Sequence, residues 1–411
     1  MSGSLLAATL TVTPRTALAD ELVEIRVEGL GPGQPVTLRA SAVSHRGRLF
    51  HSSARYQADS RGTLDLARDP ALGGDFTGVE PMGLLWSLKP AGVENPWLRQ
   101  MPRGAMKNPL KVEVTVHDTV PQPGPALASA QLQRRFSTPE LLRTRLSAGR
   151  LRGVFLLPPG DGPFPGLIDM FGDGGLNESR ASLLACRGFA TLALPFFGYE
   201  DLPANMKDLN LDYFEEAVKF VQSHSKVKGP NVGVIGSGKG AELAFSMASF
   251  LPNIAVVVSI NGCISNTATA LTCGTLILPG LPFNLDKVSA PEPGVYDIKE
   301  ALVDPLDPAY RESRIPLEKA DAHFLLIVGE DDRHWKSLQW DTAPDRRGAA
   351  TPSLSPLLRA EAAPPTGPRG RTPPAVALSH NAPLAPLSGR RDRMAAGVGI
   401  LRRTPGSAHA H

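Results

Sequence analysis

Apolar and polar residues alternate with a period of two through the first third of the chain, and then the rhythm changes. Short alternating runs recur between residues 1 and 145: TLTVTP, LVEIRVEGL, PVTLRASAV, LFHSSARYQAD, TLDLA and PLKVEVTVHDT. Glycine, proline and polar clusters divide them. A period of two places alternate side chains on one face of a strand, so residues 1–145 are expected to form a β-sandwich. No His, Cys or carboxylate cluster with metal spacing occurs there. A packing or lid-bearing domain is the expectation for this region.

From residue 146 to 337 strand-like and helix-like runs take turns. LRGVFLLPP, PGLIDMFG, ATLALPFF, NVGVIG, NIAVVVSING and HFLLIVGEDD read as strands. NESRASLLACRGF reads as a helix with Asn177 as a candidate N-cap. LDYFEEAVKFVQSH places Leu211, Phe214, Val218 and Val221 on one helical face. Such alternation predicts a mostly parallel sheet covered by helices, with chemistry at the carboxyl ends of its strands. Residues 338–411 keep neither period. From Asp341 onward there is no aromatic residue and no lysine, and Pro, Ala and Arg crowd the text. Too little apolar surface is available there to offset the entropy of ordering, so a disordered tail is expected. A polybasic binding tail is the alternative, and the scattering of its arginines argues against it.

Composition narrows the classes. A chain of 411 residues exceeds one ordinary domain, and 42% hydrophobic content suffices for sizeable cores. The net charge of +3 gives no global reason to bind nucleic acid. Cys186, Cys263 and Cys273 form no C-x-x-C pair and no even framework, which suits a reducing compartment. The opening MSGSLLAATLTV lacks a basic n-region, so no secretory signal is expected. No apolar run reaches the roughly 20 residues of a membrane span. The final HAH is not an S-K-L-type peroxisomal address. A cytoplasmic monomer is the expectation.

The candidate chemistry centres on NVGVIGSGKGAELAFSMASF, Asn231 to Phe250. An apolar run breaks into Gly-Ser-Gly-Lys-Gly and a helical pattern follows. That is the setting of a nucleophile elbow, G-x-S-x-G, with Gly236 and Gly240 as the outer glycines. The nucleophile position falls on Gly238, which has no side chain. Ser237 stands one residue early and is a displaced candidate. The backbone N–H of Lys239 would be one oxyanion donor, and the glycine-rich loop DMFGDGGL, through Gly172, the second. Asp332, after the strand LLIVG, is the candidate acid and Asp331 the runner-up. A base is harder to find. His334 is too close to the acid, and His380, His409 and His411 lie in the tail. A phosphate-loop reading through Gly233, Gly238 and Lys239 fails because Gly240 stands where Ser or Thr is required.

These residues sit in longer text that resembles the acyl-coenzyme A thioesterase and bile-acid-CoA:amino-acid N-acyltransferase family. PALGGDFTGVEPMGLLWSLKP, RASLLACRGFATLALPFFGYEDLP, LDYFEEAVKF, INGCISNTATA and FLLIVGEDDRHWKS carry the likeness, over residues from about 8 to 337. The resemblance implies an N-terminal β-sandwich followed by an α/β-hydrolase domain, here residues 146–337 and incomplete at its C-terminal end. It implies fatty acyl-CoA as ligand, no cofactor and no metal. It also implies either hydrolysis of the thioester or transfer of the acyl group to glycine or taurine. The family nucleophile is serine or cysteine, and the matching position is Gly238. The family acid falls on Asp332. The family histidine belongs to a later G-H-Y-I-E-P-P-like segment that this sequence lacks, and the likeness stops after HWKS. The tail reads like translation in another frame or an alternative exon. The expectation is a thioesterase-like protein with impaired catalysis. A non-catalytic acyl-CoA binder and an N-acyltransferase are the alternatives.

Overall fold

A computed structural model describes residues 7–44, 47–91, 108–119, 124–147, 149–207, 209–292, 295–297 and 300–328. Two compact units divide between Thr138 and Pro139. The first contains strands Thr9–Thr13 (β1), Thr16–Leu18 (β2), Glu24–Glu28 (β3), Pro35–Val43 (β4), Leu49–Gln57 (β5), Leu64–Asp65 (β6), Gly73–Gly74 (β7), Lys89–Pro90 (β8), Leu110–Asp118 (β9) and Ala128–Arg135 (β10). One sheet runs β1-β3-β6; the other runs β2-β10-β9-β4-β5-β7, with β8 also on β5. Burial alternates along β1, β3, β4 and β5, as the period of two requires. Val27, Val36, Leu38, Tyr56, Leu64 and Val114 belong to the shared core. The runs read from the sequence missed β2, β7, β8 and β10, and the all-β reading had no place for a helix: Gly83–Trp86 (α1) forms a single helical turn inside MGLLWS. Ser52 Oγ donates to the Leu84 carbonyl of that turn, a partner far off in sequence.

The second unit is an α/β sheet. Its strands are Leu142–Leu146 (β11), Gly153–Leu157 (β12), Phe164–Phe171 (β13), Ala190–Ala193 (β14), Val227–Ser237 (β16), Ile254–Ile260 (β17) and His323–Ile327 (β22), in the order β11-β12-β14-β13-β16-β17-β22. β11 and β12 are antiparallel to their neighbours, and β14, β13, β16, β17 and β22 are mutually parallel. β11, which no run read from the sequence covers, straddles the division at 145/146 and pairs with β12. Its residues show no alternation of burial that could have marked it.

Helices Ser179–Cys186 (α2), Leu211–Ser223 (α3) and Lys239–Phe250 (α4) pack on this sheet. In α3 the four apolar residues singled out above are buried, and each contributes about 1.5–3 kcal/mol. Asn210 caps α3 through Asp212 N–H. Helix α2 begins at Ser179, and Asn177 Oδ1 accepts from the Ser179 N–H and hydroxyl. A small excursion after β17 returns to the segment just ahead of α3. Leu209–Asn210 (β15), Leu271–Cys273 (β18) and Leu276–Leu278 (β19) form a three-stranded sheet, and Ser289–Glu292 (β20) pairs with Val295–Asp297 (β21). No helix among the described residues is long and apolar enough to cross a membrane.

Candidate active site

β16 ends at Ser237 and α4 begins at Lys239, so a single residue makes the turn. That residue is Gly238, with φ 55° and ψ −122°. A side chain in such a region is strained by about 1–3 kcal/mol, a conformation kept in elbows to present a nucleophile. Here the turn is kept and the side chain is absent. The flanking glycines have packing reasons. A Cβ at Gly236 would lie 2.2 Å from the Gly240 carbonyl oxygen, and one at Gly240 would lie 2.7 Å from the Met170 carbonyl oxygen. Both neighbours are backbone and cannot swing aside. Gly236→Ala and Gly240→Ala are therefore expected to destabilise the protein by about 1–3 kcal/mol each, read from urea denaturation. Gly124→Ala, which meets nothing within 4 Å, is expected to change little.

The Gly238 N–H donates to the Ile260 carbonyl at 2.9 Å, and the Asn261 N–H donates to Ile327 at 2.9 Å. The ends of β16, β17 and β22 are thus tied together. The Lys239 N–H, at the first helical position, has no intrahelical acceptor. Gly172 comes close to it: a Cβ there would stand 2.8 Å from Lys239 N and 3.1 Å from Ser237 O. The structure therefore brings together Gly238, Lys239 and Gly172. Asp332, Asp331, His334, His380, His409 and His411 lie outside the described residues.

Ser237 is placed differently from a nucleophile. It is 1% exposed, and its Oγ accepts a 2.6 Å hydrogen bond from Arg180 Nη1. Arg180 also donates to Asp169 Oδ1 through Nε (2.8 Å) and Nη2 (2.5 Å), and to the Met170 carbonyl (3.1 Å). Burial pushes the Asp169 carboxyl up, and the Arg180 charge and hydrogen bonds oppose that rise.

The Lys239 side chain is engaged as well. Its Nζ donates to Glu242 Oε2 (2.8 Å), Asn266 Oδ1 (2.7 Å) and the Thr267 carbonyl (2.7 Å). Glu242 also accepts from the Thr267 N–H and hydroxyl. Burial raises the Glu242 carboxyl, with Lys239 pulling the other way. This disposes of the phosphate-loop reading on two grounds. Gly233 sits within β16 rather than in a loop, and the lysine ammonium is already committed inside the protein.

Sequence reasoning missed Asp169, Arg180 and Glu242. A signal existed for two of them: Asp169 and Glu242 are single charges inside apolar runs, GLIDMFG and GAELAF, whereas Arg180 follows the polar Asn177-Glu178-Ser179 and carried no such mark. Charged residues are almost never fully buried unless paired.

A central parallel sheet with two leading antiparallel strands and a one-residue strand-to-helix turn defines an α/β-hydrolase-type domain. Residues 20–148 match the profile of the acyl-CoA thioester hydrolase/BAAT N-terminal region, and residues 209–346 match that of the BAAT/acyl-CoA thioester hydrolase C terminal. The chain belongs to the acyl-CoA thioester hydrolase/BAAT family. It is 49% identical over 337 residues to acyl-coenzyme A thioesterase 1 of Homo sapiens, covering 81% of this chain and 79% of that protein. It is 48% identical over 337 residues to the mitochondrial acyl-coenzyme A thioesterase 2 of Homo sapiens, covering 81% and 68%. Acyl-coenzyme A thioesterase 5 of Mus musculus is 49% identical over 320 residues, covering 77% and 75%.

Proposed function

We propose that this protein binds fatty acyl-CoA at the Gly238 turn and hydrolyses the thioester far more slowly than a relative with a complete triad. The ligand class follows from the thioesterases it resembles. The slowness rests on one observation: the apex of the elbow is a glycine, in the backbone conformation that would present a nucleophile. Ser237 offers no substitute, because its hydroxyl is buried and held by Arg180. Loss of the nucleophile from a triad costs on the order of 10⁶ in kcat. Binding and the oxyanion donors alone leave about 10³–10⁴ over water. The cytoplasm is the proposed place of action, a reducing compartment that suits three cysteines of which none forms a disulfide.

The test combines titration calorimetry with palmitoyl-CoA and a thiol assay of CoA release. Saturable binding is expected, with release at about 10⁻⁶–10⁻³ per second. Turnover at ordinary enzyme rates, about 1–10³ per second, would overturn the slow reading. Absence of saturable binding would overturn the ligand assignment.

A further inference from the structure

One guanidinium touches the ends of two neighbouring strands beside the turn. β13 and β16 are parallel partners whose register ends at Phe171 opposite Ser237. Past that point the sheet ladder no longer holds the two segments at a fixed separation. β13 leads directly into Gly172, and β16 leads directly into Gly238 and Lys239. Arg180, on α2, contacts both strand ends. On the β13 side it holds Asp169 Oδ1 and the Met170 carbonyl, and its guanidinium carbon lies 4.1 Å from the centre of the Phe171 ring. On the β16 side it holds Ser237 Oγ at 2.6 Å.

We propose that Arg180 is a positioning residue, fixing the spacing between the Lys239 N–H and the Gly172 segment so that both face the carbonyl oxygen of a bound thioester. Ser237 is the second half of this clamp. Preorganised donors stabilise a developing oxyanion only when they are already aimed at it, within about 0.5 Å of the working geometry. The Gly172 and Lys239 backbones are in near contact, so a small relative slip of β13 against β16 would close or open the gap. Arg is the side chain suited to prevent that slip. Its planar fork offers five donors in fixed directions, where lysine offers a swivelling point charge. The guanidinium is 8% exposed and Asp169 none, so the pair is little screened by solvent.

The inference rests on the acyl-CoA reading, and the test separates the two. Palmitoyl-CoA labelled with ¹³C at the thioester carbonyl is bound to the full chain, and its stretch is read by difference infrared spectroscopy. In the unaltered protein the band of the bound ligand is expected at lower frequency than that of the free ligand. Arg180→Lys and Ser237→Ala are each expected to lose most of that shift while the dissociation constant stays within about tenfold, since the carbonyl makes few of the ligand's contacts. A role confined to stability would leave the band of the folded variants unmoved. Retention of the full shift by both folded variants overturns the proposal. So does an unshifted band in the unaltered protein, which would leave the acyl-CoA reading standing. If the unaltered chain binds no palmitoyl-CoA, that reading fails and the clamp is judged on the free protein. With ¹⁵N-lysine labelling, the Lys239 amide resonance, assigned through Lys239→Arg, is expected to move in Ser237→Ala; an unmoved resonance overturns the clamp. Ser237→Ala leaves the Arg180–Asp169 pair intact, so the test survives if Arg180→Lys does not fold.

Discussion

Gly238→Ser by itself is expected to leave CoA release from a long-chain acyl-CoA close to that of the unaltered chain. A serine hydroxyl without a base is a poor nucleophile at neutral pH. Gly238→Cys should exceed it, because a thiol is partly ionised without help. The large effect requires two changes together: Gly238→Ser, and replacement of residues 338–411 by a family C-terminal segment that carries the histidine. The expected gain is on the order of 10⁶, because triad members act as a unit and each is nearly useless alone. The four combinations of the two changes, assayed for free CoA, form the test. A near-additive pattern would count against a triad that lacks two of its members. A stability effect should accompany the gain. With φ at 55°, Ser at position 238 takes on about 1–3 kcal/mol of strain that Gly238 escapes. The repaired protein should therefore melt at a lower temperature than its otherwise identical Gly238 counterpart.

Lys239→Met is expected to cost about 3–5 kcal/mol of folding stability, because it leaves Glu242 buried without its cation. The ammonium makes three hydrogen bonds, and a methionine makes none of them. The loss should depend on pH. Burial already raises the Glu242 carboxyl above its ordinary 4.5, and removing Lys239 takes away the charge that opposes the rise. A carboxyl raised in the folded state contributes stability that is fully present below the unfolded value. That stability is lost as pH rises through the folded value. The deficit of Lys239→Met should thus be smaller near pH 5 than near pH 8. Adding Glu242→Leu should recover much of it, since a buried ion pair is often replaced by apolar residues at little cost. Urea denaturation of the two single variants and the double variant at both pH values supplies the cycle. A loss under 1 kcal/mol for Lys239→Met at pH 8 would refute the argument. The Lys239 N–H is backbone and is unaffected by these changes, so acyl-CoA binding should follow folding rather than the substitution.

Much of the architecture was legible because it is local. Alternation along β1, β3, β4 and β5 marks the buried face of each strand, since successive side chains point to opposite sides. The face of α3 was legible for the corresponding helical reason. The turn itself could be read from Gly236, Gly238 and Gly240, because a tight strand-to-helix turn restricts side chains at those positions. The helical turn α1 was less visible: four residues are too few to display a period.

The sequence by itself thus determined the two rhythms, the strand-to-helix turn and the absence of a nucleophilic side chain at its apex. These depend on backbone sterics and on neighbours a few residues apart. Only the tertiary structure decided what becomes of the polar residues around the turn. Ser237 could have been read as a displaced nucleophile until Arg180, 57 positions away, was seen to hold its hydroxyl. Glu242 lies one helical turn from Lys239, but only the packed fold brought Asn266 and Thr267 onto its ammonium. β11 went unread until its register with β12 placed it at the edge of the second sheet. A buried charge must find a partner, but which partner depends on which distant segments the packed sheet brings within about 3 Å, and no spacing along the chain records that distance.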